Sequence, residues 1–179
     1  MTHRGKACLW KSEMQEELRV GIGCDSHPLV SGRRLILGGV DIPYDKGLSG
    51  WSDADVAIHA IIDALCGAAD LGDIGTLFPS HEPEYKDISS LVLLSKTSEL
   101  LKAKGFRIVN IDVTIIAQSP KLSPFVPEMR KRISQALGVD STQVTIKATT
   151  TNGLGFIGRE EGIAAQAVAL IWEKGLSEN

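Results

Sequence analysis

A single α/β layer, with helices packed on one face of one sheet, is the architecture this sequence predicts. Helical and extended patterns alternate along the chain, no internal repeat or low-complexity linker divides it, and 179 residues suit one domain with a sizeable core. Arg19 to Cys24 reads as a first strand and Leu35 to Leu37 as a second, ending at Gly38 and Gly39. Ser52 or Asp53 suits the N-cap of a helix running to about Asp70. Val56, Ala57, Ala60, Ile61, Ala64, Leu65 and Ala68 give that helix a continuous apolar face. Leu71 to Tyr85, rich in Gly, Pro and polar residues, reads as a long loop, and such loops in compact domains are usually functional. A second helix covers Ser89 to Lys104 and stops at Gly105, and Ile108 to Ile116 then alternates as a strand around Asp112 and Thr114. Ser123-Pro124 is a cap and first-turn pair for a third helix ending near Gly138. Val144 to Thr150 and Gly162 to Trp172 are the last two strands.

Composition excludes several classes. At 43% hydrophobic and 23% charged the chain is neither disordered nor fibrous. Net charge is −3, and the one dense basic cluster, Arg130-Lys131-Arg132, reads as a solvated helical face, so no nucleic-acid partner is expected. Cys8, Cys24 and Cys66 lack paired or metal-type spacing, which fits free thiols in a reducing, cytoplasmic setting. No run of about 18 apolar residues is present, so no membrane span is expected. Met1 to Leu18 lacks the apolar core of a secretory signal and is expected to be a poorly ordered extension. The folded domain is then 19–174, followed by a short tail at 175–179.

The chemistry begins at Asp25 and His27. Two residues apart on a strand, they point to the same face, and His59 from the following helix can complete a set of three ligands. Zinc takes imidazole nitrogen and carboxylate oxygen, and three protein ligands leave one tetrahedral position open. Taken singly, His59 reads first as a partly exposed helix histidine bonded to Asp55 or Asp63, and Asp25 and His27 as a strand-end turn and a surface imidazole. Only four histidines occur in the chain and two fall in this constellation, which favours a metal.

Three further segments carry polar groups in loop contexts. Asp73-Ile74-Gly75 is a helix-exit turn in which Gly75 admits close approach of a ligand and Asp73 can accept from a polyol. Ala117-Gln118-Ser119-Pro120-Lys121-Leu122 lies just past a strand end, where Lys121 is either a phosphate contact or a solvated lysine. Lys147 to Phe156 places Thr149, Thr150 and Thr151 on a strand that runs into a Gly-rich loop, a natural anion cradle.

These segments together closely resemble the 2-C-methyl-D-erythritol 2,4-cyclodiphosphate synthase family, the cyclising enzymes of the non-mevalonate isoprenoid route. The matching stretches are Gly-Cys-Asp-Ser-His at 23–27, Ser-Asp-Ala-Asp-Val-Ala-Ile-His at 52–59 and Leu-Gly-Asp-Ile-Gly at 71–75. They continue with Asn-Ile-Asp-Val-Thr-Ile-Ile-Ala-Gln at 110–118, Lys-Ala-Thr-Thr-Thr at 147–151 and Gly-Arg-Glu-Glu-Gly-Ile-Ala at 158–164. The resemblance implies a homotrimer of ferredoxin-like α/β subunits with active sites between neighbours. It implies one zinc per subunit on Asp25, His27 and His59, with Ser26 and Ser52 beside the substrate. Asp73, Ile74 and Gly75 would contact the methylerythritol, and Phe78, Pro79, Ser80, His81 and Glu82 would form a flexible loop over it. The cytosine would be wrapped by Ala117, Gln118, Ser119, Pro120, Lys121, Leu122 and Ser123. Ala148, Thr149, Thr150 and Thr151 would line the phosphates, with Thr150 in the transition-state-stabilising position and Phe156 and Arg159 at further ligand positions. The implied partners are a cytidine-nucleotide substrate, further copies of the chain and an isoprenoid diphosphate in the trimer cavity. A plastid-type compartment is the alternative to bacterial cytoplasm.

Two positions depart from the family pattern, as does the loop Phe78-Pro79-Ser80-His81-Glu82, which stands in place of a more acidic version. Trp51 stands where a phosphate-contacting histidine is common; an indole donates one hydrogen bond and carries no charge. Asn152 stands where a glutamate helps bind a second divalent ion, so Mg2+ or Mn2+ is expected to be held mainly by the substrate's phosphates. A zinc phosphohydrolase and a non-catalytic trimer binding isoprenoid diphosphates are the competing readings.

Overall fold

The computed structural model describes residues 17–173; the expected tail, and the expected N-terminal extension up to residue 16, lie outside the described residues. Glu17 and Leu18, which were assigned to that extension, instead open β1 (Glu17–Ser31), paired with Glu173 and Trp172. That strand runs on past Cys24 through Asp25 and His27, because its antiparallel partner β7 (Gly162–Glu173) offers main-chain groups along the same length. The five-stranded sheet has the order β4 (Lys46–Leu48), β1, β7, β5 (Phe106–Ile116), β6 (Val144–Thr149). Among the described residues only β5 and β6 pair in parallel. A separate hairpin pairs β2 (Leu35–Leu37) with β3 (Val40–Ile42) across Gly38 and Gly39, whose φ values of 56° and 74° suit glycine in a tight turn.

Strand parity gives the sheet one dry face. Ile111, Val113 and Ile115 of β5 and Ala165, Ala167, Ala169 and Ile171 of β7 are buried on it. The long helices α1 (Val56–Ala68), α3 (Ser90–Ala103) and α4 (Val126–Leu137) pack there, with the short α2 (Ile74–Leu77) between α1 and α3 in sequence. Helices on one face were expected, and that is the arrangement found. The opposite face leaves Leu18, Val20, Ile22 and Val168 exposed, at 62%, 68%, 64% and 41%.

Helix α1 lies directly on the backbone of β1. A Cβ added at Gly21 would stand 2.0 Å from the Ala64 carbonyl oxygen, and one at Gly23 would stand 2.0 Å from that of Ala60. Only glycine permits that approach, and the approach brings His59 on α1 over Asp25 and His27 on β1.

Several expected boundaries differ. The N-cap of α1 is Asp55, whose side chain accepts from the Ala57 and Ile58 amides, rather than Ser52 or Asp53. Asp55 wins because Gly38 and Gly39 also donate to it (2.9 and 2.6 Å), so one buried carboxylate joins the hairpin turn to the helix start. Burial and neighbouring Asp53 push its carboxyl up to about 6 against the pull of those N–H groups. His59 is buried rather than partly exposed, since α1 is covered on nearly all sides. The expected loop at 71–85 contains α2, capped by Asp73, and a 3-10 turn at Pro83–Tyr85. For α4 the cap is Phe125, with Pro127 in the first turn, rather than Ser123-Pro124. Strands β3 and β4 and a short α5 (Gly155–Gly158) are additions to the sequence reading. Cys24 and Cys66 are free thiols. Among the described residues no helix is long and apolar enough to cross a membrane.

Candidate active site

Asp25, His27 and His59 converge as a metal-type cluster, each offering one ligand atom within 4.8 Å of the others. The Asp25 Oδ2 lies 3.0 Å from His27 Nε2 and 2.9 Å from His59 Nδ1, and the two nitrogens are 3.2 Å apart. These separations approach the edge of a tetrahedron with bonds of about 2.0 Å, which is about 3.3 Å. Burial alone would raise the Asp25 carboxyl, but hydrogen bonds and attraction from His27 and His59 outweigh it and hold it well below the usual carboxylate range. The Asp25 hydrogen bond in turn raises His27, against the effect of burial.

The outward-facing nitrogens show why a cation fits. His27 Nδ1 is 2.8 Å from the Ser49 carbonyl oxygen, which can only accept, so that nitrogen carries the proton and Nε2 presents a lone pair. His59 Nε2 is 2.9 Å from Ser90 Oγ, and Ser90 Oγ itself donates to Asp53 Oδ1 at 2.5 Å. Ser90 therefore accepts from His59 Nε2–H, leaving the Nδ1 lone pair aimed at the cluster. Two imidazole lone pairs and a carboxylate oxygen facing one another repel unless a proton or a cation lies between them. The donor set fits a divalent metal, with both tautomers fixed by their outer partners.

Around the cluster opens a cavity of about 510 Å³, lined also by Trp51, Ser52, Asp63, Ile74, Gly75, Thr76, Phe78, Pro79, Ser80, His81, Tyr85 and Leu93. Asp63 accepts from the Ile74 amide (2.8 Å), fixing the start of α2, and its carboxyl is raised chiefly by burial. Asp73 caps α2 by accepting from the Thr76 amide and hydroxyl, both at 2.7 Å, and these bonds lower its carboxyl. The Trp51 indole donates to the Glu82 carbonyl at 3.3 Å, and the Lys86 ammonium sits 6.0 Å from its ring centroid. Its one donor is thus committed to the 78–85 segment.

A second cavity, of about 520 Å³, is lined by Ala117 to Ser123 together with Ala148, Thr149 and Thr150. The Ala117 amide donates to the Thr149 carbonyl (2.9 Å), and Gln118 Oε1 accepts from the Gly153 amide (3.1 Å). Thr150 Oγ1 donates to Asn152 Oδ1 at 3.4 Å. Thr151 lies outside this cavity, its hydroxyl donating to the Leu154 carbonyl. Phe156 joins Asp25 and Ser26 in a separate groove, and Arg159 is held by two 2.9 Å bonds to Glu161. Asp73 and Glu82 border the first cavity without lining it.

The sequence-predicted residues thus fall into two main groups. Sequence reasoning missed Asp53 and Ser90, the relay behind His59. The Ser-Asp-Ala-Asp run before α1 was visible, but its partner on α3 is a tertiary neighbour.

Residues 18–172 match the profile of the YgbB family. The chain is similar to the 2-C-methyl-D-erythritol 2,4-cyclodiphosphate synthase of Caldicellulosiruptor bescii, at 60% identity over 155 residues, covering 87% of this chain and 99% of the relative. It is similar to the bifunctional IspDF from Campylobacter jejuni (TM-score 0.85, 40% identity, 89% of this chain), of which it spans 43%. It is also similar to the CDP complex of IspF from Plasmodium falciparum (TM-score 0.77, 34% identity, 88% of this chain and 97% of that one).

Proposed function

The chain belongs to the YgbB family, and from that membership we infer an enzyme that makes 2-C-methyl-D-erythritol 2,4-cyclodiphosphate. It converts 4-diphosphocytidyl-2-C-methyl-D-erythritol 2-phosphate to the cyclic diphosphate and CMP, a cyclising lyase reaction of isoprenoid precursor biosynthesis. The observation that carries the reading at residue level is the convergence of Asp25, His27 and His59 beside a cavity, with a second cavity ringed by backbone and threonine hydroxyls.

An oxygen of the 2-phosphate forms a bond to the β-phosphorus. The bond from that phosphorus to the bridging oxygen breaks, and its electron pair leaves with CMP. A phosphate monoester with a second pKa of about 6 is ionised at neutral pH, and CMP leaves as a phosphate anion, so neither a strong base nor a strong acid is needed. The barrier is anion repulsion and the entropy of closing the ring. Zinc on Asp25, His27 and His59 is the reading the donor set supports, and when bound it supplies Lewis-acid stabilisation of the diphosphate. Ile74 and Gly75, with Asp73 holding their turn, are suited to orient the methylerythritol, and the 78–82 segment to exclude water. In the second cavity the 117–123 loop is suited to the cytosine and the Thr150 hydroxyl to the phosphates. Trp51 contributes shape rather than charge, since its N–H is engaged.

Geometry also favours a site shared between copies. Asp25, Ala165, Ile115 and Ala148 are cross-strand neighbours in one row, which sets Asp25 and Ala148 about 14 Å apart at the usual strand spacing. Ala165 and Ile115 between them are buried, so packed core separates the two halves within one chain. A homotrimer joining the metal half of one copy to the nucleotide half of the next resolves this, and the exposed Leu18, Val20, Ile22 and Val168 supply an apolar contact face. That face also offers an apolar lining for an isoprenoid diphosphate at the centre of the assembly. The source of the 60% identical relative, a bacterium, agrees with a cytoplasmic enzyme.

The test is incubation of the metal-loaded protein with the cytidine substrate and mass analysis of the products. Cyclic diphosphate and CMP in equal amounts are expected; release of inorganic phosphate instead would make it a phosphohydrolase. Light scattering should report a trimer, and a monomer at assay concentration would overturn the shared site.

A further inference from the structure

One carboxylate outside both cavities ties three distant segments together. Glu160 follows α5, and its Oε1 accepts from Ser119 Oγ at 2.8 Å while its Oε2 accepts from the Tyr44 hydroxyl at 3.1 Å. Ser119 lies in the loop that lines the second cavity, and Tyr44 lies between β3 and β4, packed against the core. Its left-handed φ of 57° belongs to the turn that ends α5, where the Glu160 amide donates to the Ile157 carbonyl (2.9 Å) and the Glu161 amide to the Phe156 carbonyl (3.0 Å). That turn fixes the backbone from which the side chain reaches both hydroxyls, and a carboxylate is a group that can accept both at once.

We propose that Glu160 is a positioning residue for nucleotide recognition, clamping the 117–123 loop to the folded core through Ser119 and Tyr44. The inference rests on reading the second cavity as the cytidine site. A surface loop of this kind otherwise spends binding energy on ordering itself when ligand arrives. Anchoring Ser119 to Tyr44 through one charged acceptor fixes the loop beforehand, and the main-chain groups of Gln118, Pro120 and Lys121 keep the positions in which they meet a base. Tyr44 and Glu160 touch no ligand in this scheme; they act only through Ser119.

The test compares metal-loaded wild type with Glu160→Gly, which tolerates left-handed backbone but removes both acceptors, and with Tyr44→Phe. Calorimetry with CDP should show about a tenfold loss of affinity for Glu160→Gly, the usual scale for a lost bond to a charged acceptor. Tyr44→Phe should lose affinity too, although it lies outside the cavity, and the double variant should be no worse than Glu160→Gly alone. Glu160→Gln, which keeps one acceptor, should recover part of the loss. Amide hydrogen exchange without ligand should quicken at 117–123 in Glu160→Gly and stay unchanged at 25–27 and 56–60. Should Glu160→Gly fail to fold, Glu160→Asn suits the same backbone and is too short to reach Ser119. Wild-type CDP affinity together with wild-type exchange at 117–123 overturns the clamp. A wild-type protein that does not bind CDP overturns the reading of the cavity instead, while the exchange data still decide whether Glu160 holds the loop.

Discussion

At the metal half, each imidazole nitrogen that faces away from the cluster already has a partner, Ser49 for His27 and Ser90 for His59. At the proposed nucleotide half, the 117–123 loop sinks Ala117 and Leu122 into the core and otherwise meets the rest of the chain through a few bonds, from Ala117, Gln118 and Ser119. The first half is set by the core. His59 sits on a buried helix pressed onto Gly21 and Gly23, so folding the sheet and helix brings the three groups together before any cation arrives. The second is a rim whose order depends on side-chain anchors and, in the proposed assembly, on a neighbouring copy. On the proposed reading, electrostatic work falls to the half that the core makes rigid, and recognition of a base to a loop at the rim.

The largest expected effect tests that rigidity. His59→Ala removes one of the three ligand groups and should take metal content from about one per subunit to near zero by elemental analysis, with turnover lost. Ser90→Ala leaves the ligands in place but removes the shorter of two hydroxyl contacts to His59 Nε2, Ser52 Oγ at 3.2 Å being the other, and metal affinity should drop about tenfold in chelator competition. Ser90→Thr, which keeps the hydroxyl, should restore most of it. Unchanged affinity in Ser90→Ala would mean that packing and the Ser52 hydroxyl suffice to orient His59 and that the relay to Asp53 is incidental. CDP affinity measured on metal-free protein should hardly move in any of these variants if the two halves are built independently.

A second, smaller effect is in pH. Metal and proton compete for the His27 Nε2 lone pair, and the Asp25 hydrogen bond raises His27 above its ordinary 6.5. Below the raised value each unit of acidification should therefore weaken metal binding by about tenfold, and above it the affinity should level off. The metal-free protein runs the other way. Depressed Asp25 contributes stability that is present above 3.8 and lost as pH falls through its folded value, whereas raised His27 contributes stability present below 6.5 and lost as pH rises through its own. Metal-free protein should thus gain most from this pair between those values, and stabilisation by metal should be greatest above them. Chelator competition and melting curves at about pH 6, 7 and 8 check both slopes. Metal affinity that is flat across that range would place the binding proton elsewhere.

The two halves were also unequally legible in the sequence. Asp25 and His27 followed from strand parity, and the long strands and long helices followed from apolar periodicity and from turn residues such as Gly105 and Gly138, whereas the short β3 and β4 did not. The third member, His59, was only a possibility from the residues and became an expectation through the family resemblance, because its place depends on the close approach over Gly21 and Gly23, a tertiary fact that two glycines in a strand only hint at. Asp53 and Ser90 are 37 positions apart, and no local pattern connects them. Capping was misplaced at α1 because Ser52, Asp53 and Asp55 all suit the role locally, and the choice is made by the distant amides of Gly38 and Gly39. The rim of the second half was legible as a loop, but its anchor was not, since a glutamate in Arg-Glu-Glu-Gly looks like any surface charge.

The smallest expected effect concerns Asn152, at the open edge of the nucleotide half. It is exposed and adopts φ of 53°, a left-handed conformation that asparagine tolerates better than most residues, and its amide oxygen accepts from Thr150 Oγ1. A neutral amide is a poor ligand for a hard cation, so magnesium at this edge has to be held by the substrate's phosphates. Asn152→Glu adds a carboxylate where the screened attraction at an exposed site amounts to about 1 kcal/mol or less, so half-saturation by magnesium should fall by about two- to fivefold at fixed substrate and saturating zinc. The longer side chain is less at ease in left-handed backbone and should cost a little stability, which Asn152→Asp separates from the charge effect because aspartate shares asparagine's tolerance. Tighter magnesium in both variants would assign the gain to charge. Equal half-saturation across all three proteins, or a tighter wild type, would show that Asn152 is not the weak point of the second metal and that another residue supplies the oxygen.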